Sequence, residues 1–271
     1  EYVLAGGTAT GTTISSGGTE VVSGIASGTT VSFGGVQNVS SGGFAAATTV
    51  SSGGVQNVSN GGVASGTAIS SGGAEYVLAG GTATGTTISS GGELSIVASA
   101  FASNTTVNAG GEMFISGIAS STTVSSGGQL IVFSGGSLTN TTLDSGGTLY
   151  LLPDASVTGT VGDGTVVSAN ILLFNSSGEV VGGGTGSDYD NLVLNSGQTE
   201  EIYSGGSVTG TTLSLSGNVS VDSGGTVMDT TISAGGFAIV YPSGTAISTT
   251  IDSNGAFLAG PGSFESDTTL N

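Results

Sequence analysis

In the stretch TTVSSGGVQNVSNGG, residues 48–62, short runs ending in an aliphatic side chain alternate with Gly-Gly pairs, and no position is charged. The same phrase returns along most of the chain. The triplet Thr-Thr-(Val/Ile/Leu) closes at Ile14, Val31, Val50, Ile69, Ile88, Val107, Val124 and Leu143, with Thr-Ala standing before Ile69, at steps of 17, 19, 19, 19, 19, 17 and 19 residues. It comes back at Leu213, Ile232, Ile251 and Leu270, each 19 residues apart. Residues 1–18 recur letter for letter at 75–92, the mark of a recently duplicated module.

Glycine pairs fall at alternating spacings of 8 and 11, as at Gly34, Gly42, Gly53, Gly61, Gly72, Gly80 and Gly91. They tolerate positive φ and mark turns, while the segments between them are short and rich in Val, Ile and Thr. Each unit therefore predicts strand, turn, strand, turn, with no competing helix. A 19-residue unit cannot enclose its own apolar side chains. Stacked copies at the inter-strand spacing of about 4.8 Å bury them against one another. The predicted fold is a β-solenoid of about 13 coils, a rod on the order of 60 Å long.

The strand period of two sorts the side chains. An aliphatic row running from Val22 and Val39 to Val132 and Leu151 faces the core, and the triplet ends form a second such row. The first Thr of each triplet shares their parity and leans inward, where stacked hydroxyls are expected to hydrogen-bond along the axis. The second Thr, at Thr13, Thr30, Thr49, Thr87, Thr106, Thr123 and Thr142, faces solvent, with Ala68 breaking the line. Like residues then stand about 4.8 Å apart, which disfavours repeated charges and favours Ser, Thr, Asn and Gln. The row Glu20, Gln37, Gln56, Glu75 follows that rule, with amides between the carboxylates.

The period divides the chain into regular repeats over 1–150, an interruption of irregular coils or an inserted loop or hairpin over 151–204, and resumed repeats over 205–271. Inside the interruption, GGTGSDYDN (183–191) fits the first six positions of a calcium-binding nonapeptide but puts Asp190 where an apolar residue belongs. It occurs once, whereas a β-roll site needs stacked copies. Asp188 and Asp190 are either calcium ligands or part of a solvated acidic turn.

Composition narrows the function classes. The chain has 271 residues, 53 of them glycine, with no Lys, Arg, His or Cys and a net charge of -18. Without cations it cannot neutralise phosphates, so nucleic acid and anionic lipid are not expected partners. Without cysteine there are no disulfides or zinc-thiolate sites. Pectate-type lyase chemistry needs a basic residue, and no carboxylate pair can be assigned for hydrolysis. No enzyme activity, cofactor or metal is therefore assigned. A single interrupted Thr row also lacks the doubled ranks of an ice-matching face. The sequons at Asn38, Asn57 and Asn104 are by-products of the repeat. No basic region precedes an apolar run, and no apolar stretch approaches the roughly 18 residues of a membrane span.

The unit with fixed Thr-Thr, Ser-Ser-Gly-Gly and second Gly-Gly spacing resembles the passenger repeat of the AIDA-I and antigen 43 family of self-associating autotransporter adhesins. The resemblance is close over 1–150, looser over 205–271, and leaves the interruption uncovered. It implies a right-handed parallel β-helix of about 19-residue coils on the bacterial surface, acting in aggregation, biofilm formation or host attachment. The implied partners are the protein itself, a host surface receptor and a protein O-glycosyltransferase that adds heptose to Ser and Thr. On that reading the exposed Thr row serves self-association or glycosylation. A spacer stalk carrying a distal binding domain and a glycan-acceptor scaffold are the alternatives.

Overall fold

The structure is a computed structural model that describes residues 1–185 and 189–271. It is all-β, and it divides into two compact units, Glu1–Val166 and Val167–Asn271. Among the described residues no helix is long and apolar enough to cross a membrane.

The first unit is a parallel β-solenoid. Each coil contributes three strands to three sheets, as in Val36–Val39, Phe44–Ala46 and Thr49–Val50. Successive coils pair in parallel and in register: Val36–Val39 lies against Val55–Val58 residue for residue, Phe44 pairs with Val63, and Thr49 with Ala68. The sequence pattern marks only two corners per unit, so the third is a correction. It is a single residue in the left-handed region, occupied by Gly28, Ala47, Gly66, Gly85, Asn104, Ser121 and Asn140 in successive coils. Because Gly, Asn, Ser and Ala all fill this position, it leaves no glycine-pair signature.

The two residues of a glycine pair are needed for different reasons. At the corner Ser51–Gly54 the central residues Ser52 and Gly53 have φ of 52° and 75°, as a type I′ turn requires. Gly54 has ordinary φ, but a Cβ there would sit 2.3 Å from the Val31 carbonyl oxygen of the coil beneath. The first glycine serves the turn and the second serves the stacking. Corners also join the hydrogen-bond ladder, with Ser52 N–H donating to Ser71 O at 2.9 Å and Ala47 N–H to Ser65 O at 2.8 Å. Backbone polar groups in the corners are thus satisfied partly by the next coil and partly within the turn, as where Gly54 N–H donates to Ser51 O at 2.9 Å.

The two 17-residue steps shorten the same corner. Where a standard coil links Val39 to Phe44 through four residues, Ser23-Gly24 and Ser116-Gly117 make the link alone. Register survives, since Glu20 still pairs with Gln37 and Ile25 with Phe44. The core is one continuous cluster from Val3 to Leu149. It contains the two expected aliphatic rows, although Leu151 is only half-buried. Ala26, Ala45, Ala64, Ala83, Ala102 and Ala119 line the second sheet's inner side, keeping the interior narrow.

The second unit begins with an antiparallel hairpin, Ile171–Phe174 against Val180–Gly184. Ile171–Phe174 also pairs antiparallel with Thr199–Ile202, from which parallel coils resume through Asn218–Val221, Phe237–Val240 and Ala256–Ala259. Its own core runs from Ile171 to Ala246.

The glycine division of labour is testable by thermal unfolding. Gly54→Ala is expected to cost on the order of 3 kcal/mol, because the new methyl meets backbone rather than a flexible side chain. Gly53→Asn, with Asn adapted to positive φ, is expected to change stability by no more than about 0.5 kcal/mol. Equal effects at the two positions would refute the assignment.

Candidate functional site

Among the described residues, ranks of polar side chains run along the faces of the coil. On the third sheet Thr13, Thr30, Thr49, Ala68, Thr87, Thr106, Thr123 and Thr142 are register partners in one outward row. Thr106 and Thr123 are half-buried and the others exposed. The sheet holds each side chain one strand spacing from the next, so the row is a line of hydroxyls with a methyl at Ala68.

Inside the coil runs a polar ladder. Glu20, Gln37, Gln56 and Glu75 point into the core together with Thr29, Thr48, Thr67 and Thr86, and all eight are fully buried. Gln37 Nε2 donates to Glu20 Oε2 at 2.7 Å, and Gln56 Nε2 donates to Gln37 Oε1 at 2.6 Å. The threonine hydroxyls do not pair along the axis as the sequence suggests. They donate sideways, Thr48 Oγ1 to Gln37 Oε1 at 3.1 Å, Thr67 Oγ1 to Gln56 Oε1 at 2.9 Å and Thr86 Oγ1 to Glu75 Oε2 at 3.0 Å. The partner in each case stands 11 residues upstream. Glu200 and Thr211 repeat the contact in the second unit at 3.2 Å.

Where that upstream position is apolar, the hydroxyl loses its acceptor. Buried Thr141, Thr230 and Thr249 have no hydrogen-bond partner, and 11 residues before them stand Leu130, Val219 and Ala238. Burial without any cation in the chain raises carboxyl pKa values. Desolvation lifts Glu75 to about 7, against partial relief from the Thr86 and Thr67 hydroxyls. It lifts Glu200 to about 7 in the same way, with relief from Thr211 and a small push from Asp190.

The outer face of the first sheet carries amides, aromatics and acids. Asn57 Nδ2 donates to Asn38 Oδ1 at 2.9 Å, continuing the neutral-ladder rule on the outside. Further along, Phe114 stacks on Phe133 with ring centroids 6.2 Å apart, and Ile131 between Phe114 and Tyr150 in the same row is fully buried although it lies on the outer side. Glu93 and Glu112 are neighbours in register, and burial raises the Glu93 pKa. In the second unit Tyr203 donates to Glu201, and burial followed by the Glu201 charge raises the phenol's pKa. The second sheet's outer face bears no acidic residue in the first unit.

Of the two aspartates in GGTGSDYDN, Asp188 lies outside the described residues. Asp190 Oδ1 accepts the Thr209 N–H at 2.8 Å, tying its strand connection to the next coil. Among the described residues no group of three or more Asp or Glu is placed to hold a metal ion. The parity that sends Val22 inward also sends Glu20 inward, two residues earlier, so the buried ladder was readable from the row itself. The apolar outward positions of the second sheet gave no such signal, because the third corner that defines their strand is unmarked.

A family described as "Adhesin of bacterial autotransporter system, probable stalk" matches residues 23–73, 73–128 and 116–165. No curated protein sequence matches the chain. Among solved structures, the crystal structure of a TibC-catalysed hyper-glycosylated TibA fragment is similar at 36% identity with a TM-score of 0.58, covering 100% of this chain and 88% of that one.

The buried carboxyls predict a pH dependence of defined sign. The carboxyl's ordinary value is 4.5 and the buried one titrates at about 7, so between these values the native protein holds a proton that the unfolded chain has released. Stability is greatest below that window, falls as pH rises through it and levels off above. Glu75 alone accounts for on the order of 3 kcal/mol. Thermal midpoints are expected to be higher at the acidic end of the window than above it. Glu75→Gln, whose amide can extend the ladder to Gln56, is expected to narrow that gap. Exposed Asp163→Asn, which removes the same charge from the surface, is expected to leave it. Identical behaviour of the two variants would contradict the ladder's role.

Proposed function

Because the chain belongs to the bacterial autotransporter adhesins, we propose that it is a surface-displayed passenger that holds cells together by side-to-side association of identical coils. The observation that carries this reading is the set of in-register ranks of uncharged Thr, Ser and Asn on the coil's outer faces. The threonine rank presents a hydroxyl at each strand spacing except Ala68, so a second copy meets a series of weak contacts. Each contact contributes little; many in parallel on a crowded surface contribute through effective concentration. The row Thr13, Thr30, Thr49, Thr87, Thr106, Thr123 and Thr142 is one such rank, available to a second copy or a host receptor. Family and fold speak for binding rather than catalysis.

Two further readings each have an observation behind them. The family description names a stalk, which favours a spacer whose length matters and whose sides contact nothing. The similar TibA fragment is hyper-glycosylated by TibC, which favours Ser and Thr ranks here as acceptors for a protein O-glycosyltransferase. Intact mass of the protein from its native host distinguishes a sugar-bearing chain from a bare one.

Charge supplies the test. A net charge of -18 opposes association of two copies. Raising salt from about 0.1 M to 1 M shortens the screening length from roughly 10 Å to 3 Å. Sedimentation velocity at constant pH is expected to show association increasing across that range. Association that weakens as salt is added would overturn the self-association reading, and a monomer at every salt concentration would favour the spacer.

A further inference from the structure

Resting on the self-association reading, we infer which face makes the contact: two copies pair antiparallel through the outer face of the second sheet, about a two-fold axis running along the strands midway between Val63 and Thr82. The first outward position of this sheet is occupied in successive coils by Thr8, Ile25, Phe44, Val63, Thr82, Phe101, Ile118 and Ser137, all register partners. Read from its centre, the order of side-chain size is the same in both directions: Val63 and Thr82, then Phe44 and Phe101, then Ile25 and Ile118, then Thr8 and Ser137.

An isologous contact requires a surface that is its own complement under a two-fold rotation. An axis along the coil would set any row against itself, whereas an axis along the strands, with the copies antiparallel, sets like against like only for a row that reads the same from both ends, as this one does. Ile25 then faces the second copy's Ile118, and Phe44 faces its Phe101. The other outward row of the sheet has nearly the same symmetry in hydroxyls, with Ser65 matching Thr84, Ser27 matching Ser120 and Thr10 matching Thr139, and with Ala46 opposite Ser103 as the exception. The backbone agrees as well, since the two shortened corners, at Ser23-Gly24 and Ser116-Gly117, lie in the coils of Ile25 and Ile118, equidistant from the axis.

Two further facts favour a second copy as the occupant. The large side chains of the row are exposed on an otherwise small-residue face, Ile25 at 48%, Phe44 at 39%, Phe101 at 38% and Ile118 at 49%. None of the first unit's acidic residues lies on this sheet, so here two strongly anionic chains approach without opposing carboxylates. Six rungs by three residues give a face of roughly 300 Å² per copy. That is well under the roughly 800 Å² of a standard interface, so the pair is weak alone and effective only when many copies are displayed together.

The chain has no cysteine, so introduced thiols are unique. Phe44→Cys and Phe101→Cys proteins, one lengthened by a tag, are mixed in equal amounts and treated briefly with a bismaleimide of about 10 Å reach, the separation of face-to-face sheets. The mixed product is expected to predominate over both homodimers. Products in the proportions of random encounter, or a preference for homodimers, would overturn the antiparallel pairing. In parallel, Phe44→Ser combined with Phe101→Ser is expected to weaken association about tenfold or more in sedimentation at high salt. The fold tolerates small polar residues there, since Thr82 and Ser137 hold the same rung position, and thermal unfolding checks this. Unchanged association of the double variant, with wild type associating, would sink the chosen face and leave self-association standing. A wild type that never associates would sink both.

Discussion

A residue in the parallel coils of this protein must tolerate a near-copy of itself one strand spacing above and below. Parallel in-register pairing satisfies the backbone at strands and corners alike, because corner amides donate to the next coil's corner carbonyls. That ladder fixes the distance between like side chains, and the fixed distance selects which side chains can be repeated. Aliphatic rows gain by it, since each Val or Ile packs on the ones above and below. Charges lose by it, and the positions that repeat most faithfully are neutral.

The same constraint gives the glycine pairs their place. One glycine turns the chain through positive φ, and the other leaves room for the carbonyl of the coil beneath, so corners can be as close-packed along the axis as strands are. A corner may lose two residues, as at Ser23-Gly24, provided its glycine keeps the close approach; a Cβ at Gly24 would sit 2.3 Å from the Leu4 carbonyl oxygen. Length can vary at a corner while register does not.

Inside and outside, polar side chains face opposite problems. The outward hydroxyls and amides have water. The inward ones have only each other, and the Glu20-to-Glu75 ladder resolves this by alternating acceptors and amide donors with threonine hydroxyls alongside. At its end stands a carboxyl with no cation to meet it, which is why its proton affinity rises. The association proposed above would draw on the outside alone, on faces that are repeated and largely uncharged.

Period, parity and composition were enough to define a stacked β-coil, its aliphatic rows, its inward and outward threonines and its lack of cationic side chains. These are legible because each depends on local spacing: glycine pairs mark turns, and a period of two marks faces. The third corner was not legible, since one left-handed residue can be Gly, Asn, Ser or Ala and so writes no consistent letter. The sideways hydrogen bonds of Thr48, Thr67 and Thr86 were not legible either, because their partners stand 11 residues away across a corner whose angle the sequence does not state. Only the folded coil decides that angle, and with it which side chains of different strands come within reach of one another.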